Sequence, residues 1–424
     1  MKKTKAIVPF SSYQKAVIAL LAIVQFTILL DFMVMTPLGD MLMKNMHLHA
    51  NQFVTAVSAY AFSAGISGLL VAGFADKYDR KKLLLFFYVG FIGGTLLCGT
   101  ASSYEWLLVG RIVAGLFGGV LGSVSMAIIT DLFSFEQRGR VIGFVQMAFA
   151  VSQIAGIPIG LYLANISSWH APFLMIVVLS ILTAFVIFRC FRPVTKHLER
   201  KININPVLHL QKTITKKIYL LPFLTTVLLS IGGFMLIPFS TPFLINNVGI
   251  SQLQLPILYV ISGVGSMIIL PLIGKLSDKA GKFPTFIAGT VLAMIMVVIY
   301  TNLSSVPLWG VVSINTLMFA GISSRMVPST TLMTAIPKIE DRGAFMSFNS
   351  SLQQIAGGVA SVIAGIIIVQ ESSGRLHHFN TLGYLVITIM VLCAVFMYFI
   401  NRQVVHIMNA VPLKENKVHS EIMI

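Results

Sequence analysis

Charge is what this chain has least of. Only 10% of its residues are Asp, Glu, Lys or Arg, while 56% are hydrophobic. An ordinary soluble domain carries about 25% charged residues. The deficit runs the whole length, which excludes a soluble globular protein and leaves a polytopic membrane protein. Acid is scarcer than base: 14 Asp and Glu stand against 30 Lys and Arg. A net charge of +16 would fit a nucleic-acid binder. That reading fails, because the bases sit in short connectors between apolar runs, where the positive-inside rule puts them. No nucleic-acid partner is therefore expected. Cys98, Cys190 and Cys393 form no CxxC pair, so neither a disulfide framework nor a thiolate zinc site is expected. His47, His49, His377 and His378 fall in connectors that lack a carboxylate or thiol framework, so no metal and no cofactor is expected either. An intramembrane enzyme lacks a basis: the chain has no His-Glu-x-x-His, no Gly-x-Ser-x-Gly and no paired acids within an apolar run.

What is present is apolar length. Crossing a hydrocarbon core takes about 20 mostly apolar residues. Twelve segments qualify: Ala16–Leu38, Phe53–Phe74, Leu83–Ala101, Trp106–Leu132, Val141–Leu163, Pro172–Cys190, Tyr219–Ile245, Leu253–Gly274, Pro284–Tyr300, Val306–Thr330, Ala344–Val369 and Phe379–Ile400. Helix is the expected state of each, since lipid offers no partner to an open backbone. The basic start, Met-Lys-Lys-Thr-Lys, is followed by a long apolar run with no small-residue cleavage pattern. It reads as a first membrane helix, not a removable signal. With both termini cytoplasmic, Lys44 and Arg375 are the only Lys or Arg on outside connectors. Arg111 and Arg325 are the only ones in helix interiors; the rest lie on cytoplasmic stretches or, as Arg189, at the cytoplasmic end of a segment. The expected location is the cytoplasmic (inner) membrane.

The longest polar stretch, residues 191–218, carries Arg192, Lys196, Arg200, Lys201, Lys212, Lys216 and Lys217 against the single acid Glu199. It reads as a basic cytoplasmic linker lying on anionic lipid headgroups. It divides the chain into an N-terminal six-helix bundle (1–190) and a C-terminal one (219–401), followed by a cytoplasmic tail (402–424). The halves echo each other. The stretch Gly68–Lys82 has a looser copy at Gly274–Lys282, Thr36-Pro37 recurs as Thr241-Pro242, and Arg138-Gly139 recurs as Arg342-Gly343, all at nearly one spacing. The expected fold is all-α: twelve transmembrane helices in two pseudo-symmetric six-helix bundles around a central cavity, a known transporter plan.

These residues resemble the major facilitator superfamily over essentially the full chain. Its loop motif runs roughly Gly-x-Leu-Ala-Asp-Arg-x-Gly-Arg-Lys. The first copy here reads Ala72-Gly73-Phe74-Ala75-Asp76-Lys77-Tyr78-Asp79-Arg80-Lys81, with Asp76, Arg80 and Lys81 in place and the family glycines replaced by Ala72 and Asp79. The second copy keeps Gly274, Leu276, Asp278, Lys279 and Gly281. Finer resemblance is to the twelve-helix drug:proton antiporters, in the arabinose-efflux-permease-like branch. It rests on Leu29-Leu30-Asp31-Phe32-Met33-Val34-Met35-Thr36-Pro37-Leu38-Gly39 in the first helix and Gly110-Arg111-Ile112-Val113-Ala114-Gly115 in the fourth. In the fifth, Gly156-Ile157-Pro158-Ile159-Gly160 is a relative of the antiporter Gly-Pro-x-x-Gly motif, interrupted by Ile157. The resemblance implies a proton-coupled exporter of a small organic molecule, working as a monomer by alternating access. A proton symporter importing a sugar, metabolite or metal-chelating molecule is the alternative.

Asp31 falls about halfway along the first apolar segment. A charge there costs several kcal/mol unless paired, hydrated or neutralised. Such a carboxyl is either a proton carrier or a structural group bonded permanently to a neighbouring helix. Arg111 is charged at any accessible pH. It holds an acid, holds an anionic substrate, or snorkels to the outer interface; in the resembling family the equivalent Arg is linked with proton movement. Arg325 has no acid inside any helix of its own half. It faces Asp31, awaits a substrate anion, or sits among carbonyls. Gln25, Phe32, Met35, Gln146, Gln153, Asn315, Asn349 and Gln353 join Arg325 as candidate lining of the substrate cavity. Single polar members are explained equally well as interhelical bonds. Asp76, Arg80, Lys81, Asp131 and Arg138, with Gly274, Asp278, Lys279, Gly281 and Arg342 in the second half, are candidates for a cytoplasmic latch between conformations. Small residues recur every fourth position in the fifth helix (Ala148, Ser152, Gly156, Gly160). The resembling fold implies that this stripe meets the other half.

Overall fold

The computed structural model describes residues 10–71, 78–195, 198, 206–338, 341–371 and 373–421. Among these, twelve helices are long and apolar enough to cross a membrane. In chain order they are α1 (Ser12–Val34), α2 (Ala50–Leu70), α3 (Arg80–Gly99), α4 (Tyr104–Leu132), α5 (Arg140–Ile166), α6 (Ala171–Cys190), α7 (Lys217–Val248), α8 (Gln252–Ala280), α9 (Lys282–Thr301), α10 (Leu308–Thr334), α11 (Arg342–Ile367) and α12 (Phe379–Ile407). Between α11 and α12, Val369–Gln370 pairs antiparallel with Leu376–His377.

Local chemistry sets the ends. Ser11 opens α1 with a capping box: its hydroxyl accepts from the Gln14 amide, and the Gln14 side chain accepts from the Ser11 amide. Asp79 caps α3, accepting from the Lys81 amide at 3.0 Å. Gly281, at φ 96°, turns the chain from α8 into α9. Two prolines shorten what the apolar pattern promises. The first helix ends at Val34, not Leu38; residues 35–38 form a turn, and a separate short helix follows at Gly39–Asn45. Pro37 has no N–H to donate, and its ring clashes with the carbonyl four residues before. Within α7 the regular helix stops at Phe234 and restarts at Ile237, with Pro238 in the new first turn. Each interruption falls in the first helix of its half, but not in the same register: the repeat pairs Pro37 with Pro242, and the break in α7 comes about one turn before that position.

By packing, the chain divides into two compact units, one comprising Met1–Pro206 with Ser251–Gly263 and the other Val207–Ile250 with Val264–Ile424. In the first, α3 and α4 form the most extensively packed pair, and α4 also lies along α2. Glycines make this possible. A Cβ at Gly94 would meet the Ala114 nitrogen at 2.3 Å, and one at Gly119 would meet the Ala64 Cα at 2.5 Å. Three members of the small stripe of α5 serve α1 of their own unit. A Cβ at Gly156 would stand 2.8 Å from Leu30, one at Gly160 3.3 Å from Val34, and the Ser152 hydroxyl donates to the Phe26 carbonyl at 3.3 Å. Phe26, Leu30 and Val34 form a bulky ridge at helical spacing, and only small residues let α5 close on it. The start of α8 belongs here through side-chain bonds: Gln252 Nε2 donates to Asp40 Oδ2 at 2.9 Å, and Asn165 Nδ2 donates to the Gln252 carbonyl at 3.3 Å.

The second unit repeats the pairing with α9 and α10, where a Cβ at Gly321 would meet the Ala293 nitrogen at 2.7 Å. Its core gathers Tyr219, Phe223, Phe286, Phe345 and Met397. The later part of the linker is docked here, through the short helix Pro206–Ile214 and the residues after it. Asp341, fully buried ahead of α11, accepts from Lys216 Nζ and the Tyr219 hydroxyl at 2.6 Å each, and from Thr213 Oγ1 at 3.3 Å. Burial works against its charge, but the hydrogen bonds from Lys216 and Tyr219 prevail and hold its carboxyl below the ordinary range. This anchoring adds a protein contact to a linker expected to lie on lipid headgroups. Lys196, Glu199, Arg200 and Lys201 lie outside the described residues.

Candidate functional site

Asp31 lies one turn before the break in α1, and its side chain is fully buried. Three elements converge on it. Arg111, on α4 and equally buried, donates from Nη1 to Asp31 Oδ2 at 2.9 Å. The same nitrogen approaches the Asp31 carbonyl at 3.4 Å. Thr95, on α3, donates to Oδ1 at 3.2 Å. The close α3–α4 approach at Gly94 is what brings Thr95 and Arg111 to one carboxylate. Tyr60, on α2, lays its ring 4.4 Å from the guanidinium carbon, and Phe32 stands 5.5 Å from that ring. An aromatic face attracts a cation most strongly where water is excluded. Nε and Nη2 of Arg111 have no oxygen or nitrogen partner, and the buried Cys98 thiol lies beside the guanidinium. The guanidinium thus keeps donor capacity beyond its bond to Asp31.

Asp31 and Arg111 each stood out in the sequence, though not as partners, while Thr95 and Tyr60 did not. A threonine or tyrosine inside an apolar helix is too common to stand out, and its partner is set by packing across helices. Of the other first-unit candidates, Met35 is fully buried, Gln25, Phe32 and Gln153 are half-buried, and Gln146 is exposed. In the second unit, Asn349 accepts from Thr226 at 2.6 Å, an α7–α11 bond internal to that unit. Asn315 and Gln353 are half-buried. Arg325 is 2% exposed, with its guanidinium 5.7 Å from the Phe286 ring and the Cys393 thiol beside it. Its Nε and Nη2 make no hydrogen bond.

The latch candidates split the same way. In the first unit, Arg80 is buried and bonds Asp131 through Nε at 3.1 Å. Lys81 donates to the Phe188 carbonyl at 2.9 Å. Arg138 closes the end of α4, donating to the Thr130 and Phe133 carbonyls at 2.7 and 3.1 Å. Asp79, which stands where the family motif has glycine, caps α3 and also accepts from the Val194 amide at 2.9 Å. Asp76 lies outside the described residues. In the second unit, Asp278 pairs with Lys282 one turn on, Lys279 ends α8, Gly274 has open space around it, and Arg342 is exposed. The buried acid there is Asp341. The repeated Arg-Gly pair pointed one residue away from it: Gln137 precedes the first copy and Asp341 the second.

A family model described as Major Facilitator Superfamily matches residues 21–338 and 223–417. An uncharacterized MFS-type transporter of Bacillus subtilis strain 168, YceJ, is 26% identical over 272 residues, spanning 63% of this chain and 68% of its own. Multidrug resistance protein 3 of the same organism is 32% identical over 148 residues, which is 35% of this chain and 29% of that protein. A solved structure of a bacterial homolog of the human lysosomal transporter Spinster, inward-facing and unoccupied, matches with a TM-score of 0.73 at 17% identity. The match covers 94% of this chain and 99% of that one, a likeness of fold.

Proposed function

The chain belongs to the major facilitator superfamily and is a multi-pass membrane transporter, and on that premise we propose that it exports a small organic molecule in exchange for protons. The observation that carries the reading is the fully buried Asp31–Arg111 pair beside the break in α1. Proline-interrupted helices in corresponding positions of the two halves are a pointer to a transporter's binding site. Deprotonated, Asp31 holds Arg111 by a charge-assisted bond. A proton on the carboxyl removes the charge and weakens that bond. Arg111 stays cationic throughout and is released toward the substrate or another partner. Proton and substrate then compete for one site, which is the simplest antiport. Gln25, Phe32, Met35, Gln153, Asn315, Arg325, Asn349 and Gln353, with Gln146, supply the substrate's surroundings. The charged groups around Arg80 and Asp131, with Asp76 and with Asp278 at the end of α8, hold one conformation against the other as the halves rock. The protein works as a monomer in the cytoplasmic membrane with both termini inside.

Asp31→Asn tests this. In everted vesicles under an imposed pH gradient, the variant is expected to reach the membrane in normal amount and to lose gradient-driven transport. Undiminished gradient-driven transport by Asp31→Asn would sink the proposal. One observation favours import instead, the Ile157 that interrupts the antiporter motif of α5. Accumulation in right-side-out vesicles at acid outside pH, with none in everted ones, would select that reading.

A further inference from the structure

We propose that Tyr60 is a positioning residue for proton loading: its ring face takes over the Arg111 guanidinium when Asp31 becomes neutral. The inference rests on the proton-coupled reading above. It adds what holds the cation that the proton sets free.

The sequence of α4 builds the contact. Tyr60 and Tyr88 are both buried in the first unit. Tyr88 pairs its hydroxyl with that of Thr27, 3.0 Å away. Tyr60 is placed differently, by its backbone and ring. Arg111, Gly115 and Gly118 follow one another at i, i+4 and i+7, along one stripe of α4. A Cβ at Gly115 would stand 2.5 Å from the Tyr60 carbonyl oxygen, and one at Gly118 2.9 Å from its hydroxyl oxygen. The two glycines let α2 lie against α4 at Tyr60. The ring then meets the remaining member of the stripe, with its centroid 4.4 Å from Arg111 Cζ. Phe32 stands 5.5 Å from the same ring.

Filling space is the plainer use of a buried tyrosine, but a ring on a guanidinium does more. While Asp31 is charged, the ring face draws the guanidinium and repels the carboxylate, and the two effects offset. A proton on Asp31 removes the repulsion and leaves the attraction. The ring then faces a net cation in a fully buried site, the setting in which that attraction is strongest. Arg111 cannot shed its charge, and a buried charge left uncompensated is costly. The remaining neighbours are weaker holders. The Asp31 carbonyl is 3.4 Å from Nη1, long for a hydrogen bond, and a thiol such as Cys98 is a poor acceptor. The titratable groups acting on Arg111 are Asp31 on α1, Tyr60 on α2 and Cys98 on α3. Helices α5 and α6, which also pack on α1, add none among the described residues. The ring thus lowers the cost of loading. It also keeps Arg111 in place, so that the pair re-forms when the proton leaves.

The test needs no substrate. The full chain is reconstituted in vesicles with equal pH on both faces. The carboxylic C=O infrared band that Asp31→Asn removes is measured against pH. Tyr60→Phe keeps the face and is expected to keep the wild-type profile. Tyr60→Leu keeps apolar bulk without a π face, and is expected to need about tenfold more acid for half of the band. Tyr60→Phe with increasing ring fluorination keeps the shape and drains electron density from the face. It is expected to move the half-point stepwise in the same direction, and it serves if Tyr60→Leu impairs folding. An unmoved half-point in Tyr60→Leu or across the fluorinated series overturns the role. So does a shift in Tyr60→Phe as large as that in Tyr60→Leu, which would assign the effect to the hydroxyl. A band that Asp31→Asn fails to remove instead overturns the proton-carrier reading, so the two failures are distinct.

Discussion

At Asp31 and Arg111 the two halves of one ion pair are not equal. Removing one partner of a buried pair costs about 3–5 kcal/mol, because the other charge is left uncompensated. An aspartate left alone escapes by taking a proton. An arginine left alone has no such escape. Asp31→Asn is therefore expected to melt lower in detergent than Arg111→Gln, and Asp31→Asn/Arg111→Gln to recover most of the loss without recovering transport. Equal melting of the two single variants would show that Arg111 already has other support, for which the Tyr60 ring at 4.4 Å is the candidate. At this scale the sequence was legible only where a charge broke an apolar run. Asn349 read as cavity lining because its class allows it, and nothing local foretold that its amide oxygen accepts from Thr226. Tyr60, Tyr88 and Thr95 gave no signal, since nothing in a local pattern tells a buried hydroxyl's partner.

Helix existence was written plainly in hydropathy, and helix ends were written in chemistry that hydropathy does not see. Pro37 and Pro238 cut their helices by withholding an N–H. Pro158 acts more gently: the turn Ser152–Gly156 just before it takes the wider π register, which absorbs the missing bond without a break. The linker shows a different blind spot. Its basic residues read as a headgroup surface, while Lys216 in fact shares Asp341 with Tyr219 and Thr213. Because the folded state holds the Asp341 carboxyl below its ordinary range, the anchor's stability is present above the unfolded value near about pH 4. It is lost as pH falls through the lower folded value. Asp341→Asn is expected to cost on the order of 2 kcal/mol at neutral pH and to flatten the acid limb of a melting-temperature profile. The same acid limb in both proteins would mean that the linker is not held by charge.

For the molecule as a whole, duplication was readable because three landmarks recur at one spacing, and the observed units each rebuild the same close glycine-mediated helix pair, α3–α4 and α9–α10. Their membership was not readable. Ser251–Gly263 follows the central linker in sequence, yet it packs with the first unit through Gln252, Asp40 and Asn165. The completeness of burial around Asp31 and Arg111 has one more consequence, and it is electrical. Unloaded, the pair is neutral; with a proton on the carboxyl it carries a net charge of +1. One elementary charge crossing 100 mV is worth about 2.3 kcal/mol, a factor of roughly fifty in an equilibrium. In the proposed exchange, an inside-negative membrane therefore pulls the loaded site inward whatever the pH gradient. Exchange for a neutral molecule moves one charge per cycle, exchange for a monovalent cation none, and exchange for a monovalent anion two. Transport measured at clamped potential with no pH gradient is thus expected to count the charge on the substrate before its structure is known.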